Sequence, residues 1–82
     1  MRLALSKNAE REYKRIPGRE QAKIKKKLAS LENNPYSGKK LGGEFAQYYS
    51  IRAWPYRIIY RIDKIGKRIY IQKIPHRQGA YK

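Results

Sequence analysis

Apolar positions change their spacing repeatedly along this 82-residue chain, and each spacing predicts an element. In "RLALS" (2–6), Leu3 and Leu5 alternate with Arg2 and Ala4, the period of two that marks a short strand. Ser6 then stands as an N-cap, with Glu10 and Glu12 toward the positive end of the helix that follows. "KNAEREYKRI" (7–16) carries Ala9, Tyr13 and Ile16 on one stripe and is closed by Pro17-Gly18. "REQAKIKKKLASLENN" (19–34) repeats that spacing with Ile24, Leu28 and Leu31, leaving Lys23, Lys25, Lys26 and Lys27 largely off the stripe. A helical hairpin of this kind cannot bury both stripes without a sheet.

Three runs supply the sheet. "QYYSIRAW" (47–54), "YRIIYRI" (56–62) and "RIYIQKI" (68–74) are joined at Pro55 and through "DKIGK", connections short enough for an antiparallel meander. Residues 35–45, punctuated by Pro35, Gly38, Gly42 and Gly43, read as turns. The expected fold is α+β in the order β-α-α-β-β-β, a single domain over 1–82, with an antiparallel sheet and the helical hairpin packed on one face. Alternation places Tyr56, Ile58, Tyr60 and Ile62 on the helix side, and Arg57, Ile59 and Arg61 on the other. Burying an unpaired guanidinium is costly. The arginines are therefore expected to stand on the open face and make a positive concavity.

Charge sharpens that picture. Twenty-one Lys and Arg against six Asp and Glu give a formal charge of +15. A field of that size repels itself and steers the chain toward polyanions. Nucleic acid is the first expected partner, an acidic protein the second and an anionic membrane the last. The absence of cysteine removes disulfides and thiolate metal sites, and a single histidine argues against structural zinc. No metal and no cofactor are expected. No apolar run approaches a membrane span, so the expectation is a cytoplasmic protein with no membrane role.

"YYSIRAWPYRIIYRID", followed by "IPHRQGAYK", resembles the RelE/ParE superfamily of toxins from toxin–antitoxin pairs. The resemblance rests on Tyr56-Arg57-Ile58-Ile59-Tyr60 in a central strand, and on His76-Arg77-Gln78-Gly79-Ala80-Tyr81 after the last one, and it covers essentially the whole chain. It implies a RelE-like ribosome-dependent endoribonuclease that cuts mRNA in the A site without a metal. The 2′-hydroxyl would attack the neighbouring phosphate, giving a 2′,3′-cyclic phosphate and a 5′-hydroxyl. The alternative it admits is a ParE-like toxin that inhibits DNA gyrase and cuts nothing. Either way it implies an acidic or amphipathic antitoxin that wraps the toxin.

Metal-free RNA cleavage needs a proton acceptor, cations around the phosphorane and a proton donor to the leaving oxygen. Arg57 matches the family's central-strand arginine, and its planar fork suits phosphate oxygens; a solvated sheet-face arginine is the plain alternative. Arg52, on the preceding strand, is either a second phosphate donor or a cross-strand partner for Asp63. His76 is the one side chain that exchanges protons readily near neutrality, and is otherwise a surface loop residue. Tyr81 is a candidate for proton transfer or base stacking, or else a tail anchor. Arg77 would add a phosphate contact, and Lys39, Lys40, Arg61 and Lys82 would bind RNA. One departure matters. The best-known RelE-type site has two lysines on the strand before the central one, and those positions are Tyr48 and Ser50 here. Proton transfer then falls to His76, or cleavage is weak or absent.

Overall fold

Ser6 caps the first helix as its position predicts. Its hydroxyl oxygen accepts from the Ala9 N–H at 3.0 Å and donates to the Gln72 carbonyl at 2.7 Å, tying the helix start to the far end of the sequence. The computed structural model describes residues 1–76. Its elements are β1 (Arg2–Leu5), α1 (Lys7–Arg15), α2 (Gly18–Asn33), β2 (Lys39–Lys40), a 3-10 turn (Gly43–Phe45), β3 (Tyr48–Ala53), β4 (Tyr56–Asp63) and β5 (Arg68–Lys73).

The strands form one sheet in the order β1-β5-β4-β3-β2. The meander β3-β4-β5 is antiparallel as expected, but β1 joins β5 in parallel, so the sheet is mixed. Parallel neighbours need a long crossover, and here everything between β1 and β5 serves as one. The segment read only as turns also contributes β2, which pairs Lys39 with Ser50 and Lys40 with Tyr49.

Both helices cover one face. Ala9, Ile16, Ile24, Leu28 and Leu31 pack on Ile58, Tyr60, Ile69, Ile71 and Ile74, all buried. Fully burying an isoleucine or leucine contributes roughly 1.5–3 kcal/mol, so this single layer dominates stability. Tyr60 is the largest fully buried side chain among the described residues. Its hydroxyl donates to the Pro35 carbonyl at 2.9 Å and accepts from the Gly38 N–H at 3.0 Å, pinning the turn that leads into β2. Gly38 is needed there, because a Cβ would run into the Tyr60 hydroxyl. Among the described residues, no helix is long and apolar enough to cross a membrane.

The β4–β5 ladder contains a bulge. Tyr60 faces Ile71 but Ile59 faces Lys73, leaving Gln72 as the extra residue of β5. Helix α1 holds both sides of it: Ser6 donates to the Gln72 carbonyl, and the Ile74 N–H donates to Glu12 Oε1 at 2.9 Å. The bulge lets Ile71 and Ile74 both enter the core although they are three residues apart, and it reverses the facing of every β5 residue beyond it.

Candidate functional site

The face opposite the helices is built in rows set by register. Arg52 on β3 lies directly opposite Arg57 on β4. The next row runs Lys39, Ser50, Ile59 and Lys73 across β2, β3, β4 and β5. The third runs Tyr48, Arg61, Tyr70 and Ala4 across β3, β4, β5 and β1. Ser50 and Ile59 are 5 % and 4 % exposed, so they form a floor, while the longer cationic side chains around them make the rim.

The floor matters because it sets the depth and dielectric of the hollow. Cations grouped over a partly dry floor attract a phosphate more strongly than the same cations in open water. Opposed strand residues stand roughly 5 Å apart at Cβ and diagonal ones roughly 7–8 Å. Lys73 is therefore a diagonal neighbour of Arg57 on the adjacent strand, while Lys39 stands two strands from it, on the far side of the Ser50–Ile59 floor.

Arg57 is half-buried on this face, as its alternation predicts, and its N–H donates to the Pro75 carbonyl at 3.0 Å. Arg52 does not meet Asp63. That carboxylate accepts from the Gly66 N–H at 3.1 Å and lies opposite Arg68. Arg52 also borders an open groove of about 580 Å³ beside α2, where Lys23, Lys26, Lys27 and Trp54 gather. Arg61 lies over the Tyr70 ring, 4.3 Å from its centroid.

Two placements depart from the sequence reading. His76 faces Tyr56, on the helix side, and its ring meets the Tyr56 ring edge-on at 5.4 Å. It does not share a face with Arg57. Lys40 likewise pairs with Tyr49, whose ring stacks on Tyr60 in the helix-side layer, so only Lys39 joins the hollow. Arg77, Tyr81 and Lys82 lie outside the described residues.

Lys73 was missed by sequence reasoning for a definite reason. Strict alternation from Ile69 and Ile71 sends residue 73 to the core side and residue 76 to the open face. The Gln72 bulge exchanges the two. The available signal was Ile74: two buried isoleucines spaced by three within a strand require an irregularity.

Burial pushes the Tyr60 hydroxyl above its ordinary pKa, with the neighbouring Tyr49 adding to the effect and the Gly38 N–H opposing it. This group lies behind the sheet and supports the β2 turn rather than the chemistry of the open face.

The family described as the ParE toxin of type II toxin–antitoxin systems matches residues 3–81. A sequence comparison with curated proteins returns no match. Among solved structures, the chain is similar to the RelBE2 toxin–antitoxin complex of Mycobacterium tuberculosis, at 28 % identity and a TM-score of 0.85, covering 92 % of this chain and 95 % of that one. It is similar in fold to the YoeB/ParE toxin of Agrobacterium tumefaciens, at 24 % identity and a TM-score of 0.81, covering 93 % and 98 %. The archaeal RelE–RelB complex of Pyrococcus horikoshii gives 24 % identity and a TM-score of 0.80, covering 96 % and 97 %.

Proposed function

The chain belongs to the ParE toxin family of type II toxin–antitoxin systems and is the toxin of such a pair, and from that premise we propose that it is a RelE-like endoribonuclease acting on mRNA in the ribosomal A site. The observation that carries this reading is the shared face of Arg57, Lys39 and Lys73 around the floor of Ser50 and Ile59. A pentavalent phosphorane carries more negative charge than the phosphodiester it comes from. Fixed cations on a rigid sheet bind that state more tightly than the ground state, which is how they accelerate cleavage.

In this reading the guanidinium of Arg57 clamps two phosphate oxygens, and Arg52 supports it across the hairpin. Lys39 and Lys73 neutralise the remaining charge. Tyr81 and Arg77 come from the last residues of the chain, with Tyr81 handling the proton of the 2′-hydroxyl or of the leaving oxygen and Arg77 contacting phosphate. The products are a 2′,3′-cyclic phosphate and a 5′-hydroxyl, with no metal required. The partner that restrains it is an acidic or amphipathic antitoxin; similar chains are found in toxin–antitoxin complexes. A charge of +15 suits both that partner and ribosomal RNA.

A second reading, gyrase inhibition without cleavage, draws support from His76. With its imidazole beside Tyr56, the described part of the open face holds cations but no group that exchanges protons easily at neutral pH.

One experiment separates the two. Purified chain is added to a translation reaction and the mRNA 5′ ends are mapped. The nuclease reading expects codon-spaced cuts that disappear in Arg57→Ala and Tyr81→Phe. Intact mRNA together with arrested DNA supercoiling would overturn it in favour of gyrase.

A further inference from the structure

The third row of the open face has a different chemistry from the first two. Tyr48, Arg61 and Tyr70 are direct cross-strand neighbours on β3, β4 and β5, and all three are half-buried. Strands lie about 4.8 Å apart, so the two phenol rings are anchored about 10 Å from each other with the guanidinium between them. Arg61 is already held against the Tyr70 ring at 4.3 Å. Beyond Tyr70 the row ends in Ala4 on the edge strand β1, which places no side chain larger than a methyl opposite Tyr70. The row lies four residues along β4 from Arg57, about 13 Å at strand rise, with the cationic hollow between.

Flat groups presented side by side on an exposed sheet are suited to unpaired nucleobases. Aromatic rings and guanidinium planes both stack on bases, and such stacking tolerates any base because each has a π-face. Arg61, pre-positioned by its cation–π contact, gives up little freedom when a base lands on it. The hollow next to it supplies Lys39 and Lys73 for the adjoining phosphates.

We propose that Tyr48, Arg61 and Tyr70 form a base-stacking site for single-stranded RNA, which holds an unpaired nucleotide across the cationic hollow from the phosphate seated at Arg57. The site rests on reading the open face as an RNA-binding surface, but it does not depend on cleavage.

The test uses the full chain and a fluorescent single-stranded RNA made uncleavable by 2′-O-methylation, titrated at several salt concentrations. Tyr48→Ala and Tyr70→Ala should each weaken binding about tenfold, the scale of losing one stacked base. Tyr48→Phe and Tyr70→Phe should bind like the unmutated chain. The salt slope should stay unchanged in all four tyrosine variants, since none removes a phosphate contact, whereas Lys73→Ala should lower it by about 0.7. A second measurement needs no variant: the unmutated chain should bind an abasic strand of equal length about tenfold more weakly. Equal affinity for the abasic strand, or alanine variants that bind normally, would overturn the site. Base-dependent binding without any mRNA cleavage would leave the site standing and remove the nuclease reading alone.

Discussion

Arg52 and Arg57 face each other across the β3–β4 hairpin, two guanidinium-bearing residues forming one cross-strand pair. Like charges placed opposite one another destabilise a sheet, and nothing in the core depends on this arrangement. An anion between them reverses the sign of the interaction. Arg52→Gln should therefore raise stability by a few tenths to about 1 kcal/mol at low ionic strength. The gain should shrink as salt screens the pair. Urea denaturation at low and high salt measures it, and RNA affinity should fall in the same variant.

The bulge makes a sharp distinction between two residues only three apart. Lys73 shares the face of Arg57, and His76 stands against Tyr56. If the chain cuts mRNA, Arg57→Ala should lower the cleavage rate about 10²-fold or more, the usual cost of losing a preorganised donor to a developing oxyanion. Lys73→Ala should cost at least tenfold. His76→Gln should stay within a few-fold of the unmutated rate. Rates from mapped mRNA ends decide it, and a large loss in His76→Gln would assign the imidazole to the chemistry.

Affinity for RNA should separate the adjacent lysines of β2 in the same way. Lys39→Ala should weaken binding and flatten its salt dependence, because its side chain joins the hollow, whereas Lys40→Ala should do less of both. Binding titrations at two salt concentrations compare them directly.

Ionisation of Tyr60 should destabilise the fold at alkaline pH. Its hydroxyl holds the Pro35–Gly38 turn, and burial raises its pKa. In the unfolded chain a tyrosine ionises at about 10. Because the folded value is higher, the stabilisation is complete below that pH and is lost as pH rises toward the folded value. Tyr60→Phe should remove this decline in a pH series of thermal melts. At neutral pH it should cost about 1–3 kcal/mol, because the turn loses both partners. Gly38→Ala should destabilise by a similar route, as its methyl would displace the hydroxyl.

The two side chains that grip the bulge, from the Ser6 cap and from Glu12 of α1, should matter beyond their bond energies. Ser6→Ala removes a cap and the bond to Gln72, at a cost of about 1–2 kcal/mol. Glu12→Ala removes the acceptor for the Ile74 N–H. Both variants should also lower RNA affinity, although neither residue lies on the open face, because Lys73 depends on the irregularity they hold. Amide exchange at Ile74, faster in both, would report the loosening independently of binding.

Much of this was legible in the amino-acid pattern. The helical stripes of Ile24, Leu28 and Leu31, the Ser6 cap and the alternation through β4 follow from local periodicity, and Arg57 and Arg61 lie where that alternation sends them. What escaped depends on distant partners. The two-residue β2 exists because Tyr60 anchors its turn, and β1 runs parallel because of where β5 lies. The positions of Lys73 and His76 turn on one extra residue, Gln72, held by the bond from Ser6 to its carbonyl and by the bond from the Ile74 N–H to Glu12.

The pairing of the first strand with the last has a temporal meaning. As the chain emerges from the ribosome, β1 has no strand to pair with until β5 has also left the tunnel, and the Glu12–Ile74 link joins residues 62 positions apart. Long-range closures of this kind slow folding. The open face on which Arg57 and Lys73 stand is therefore completed only after β5 has been made, because β5 carries Lys73 and is the strand that β1 pairs with.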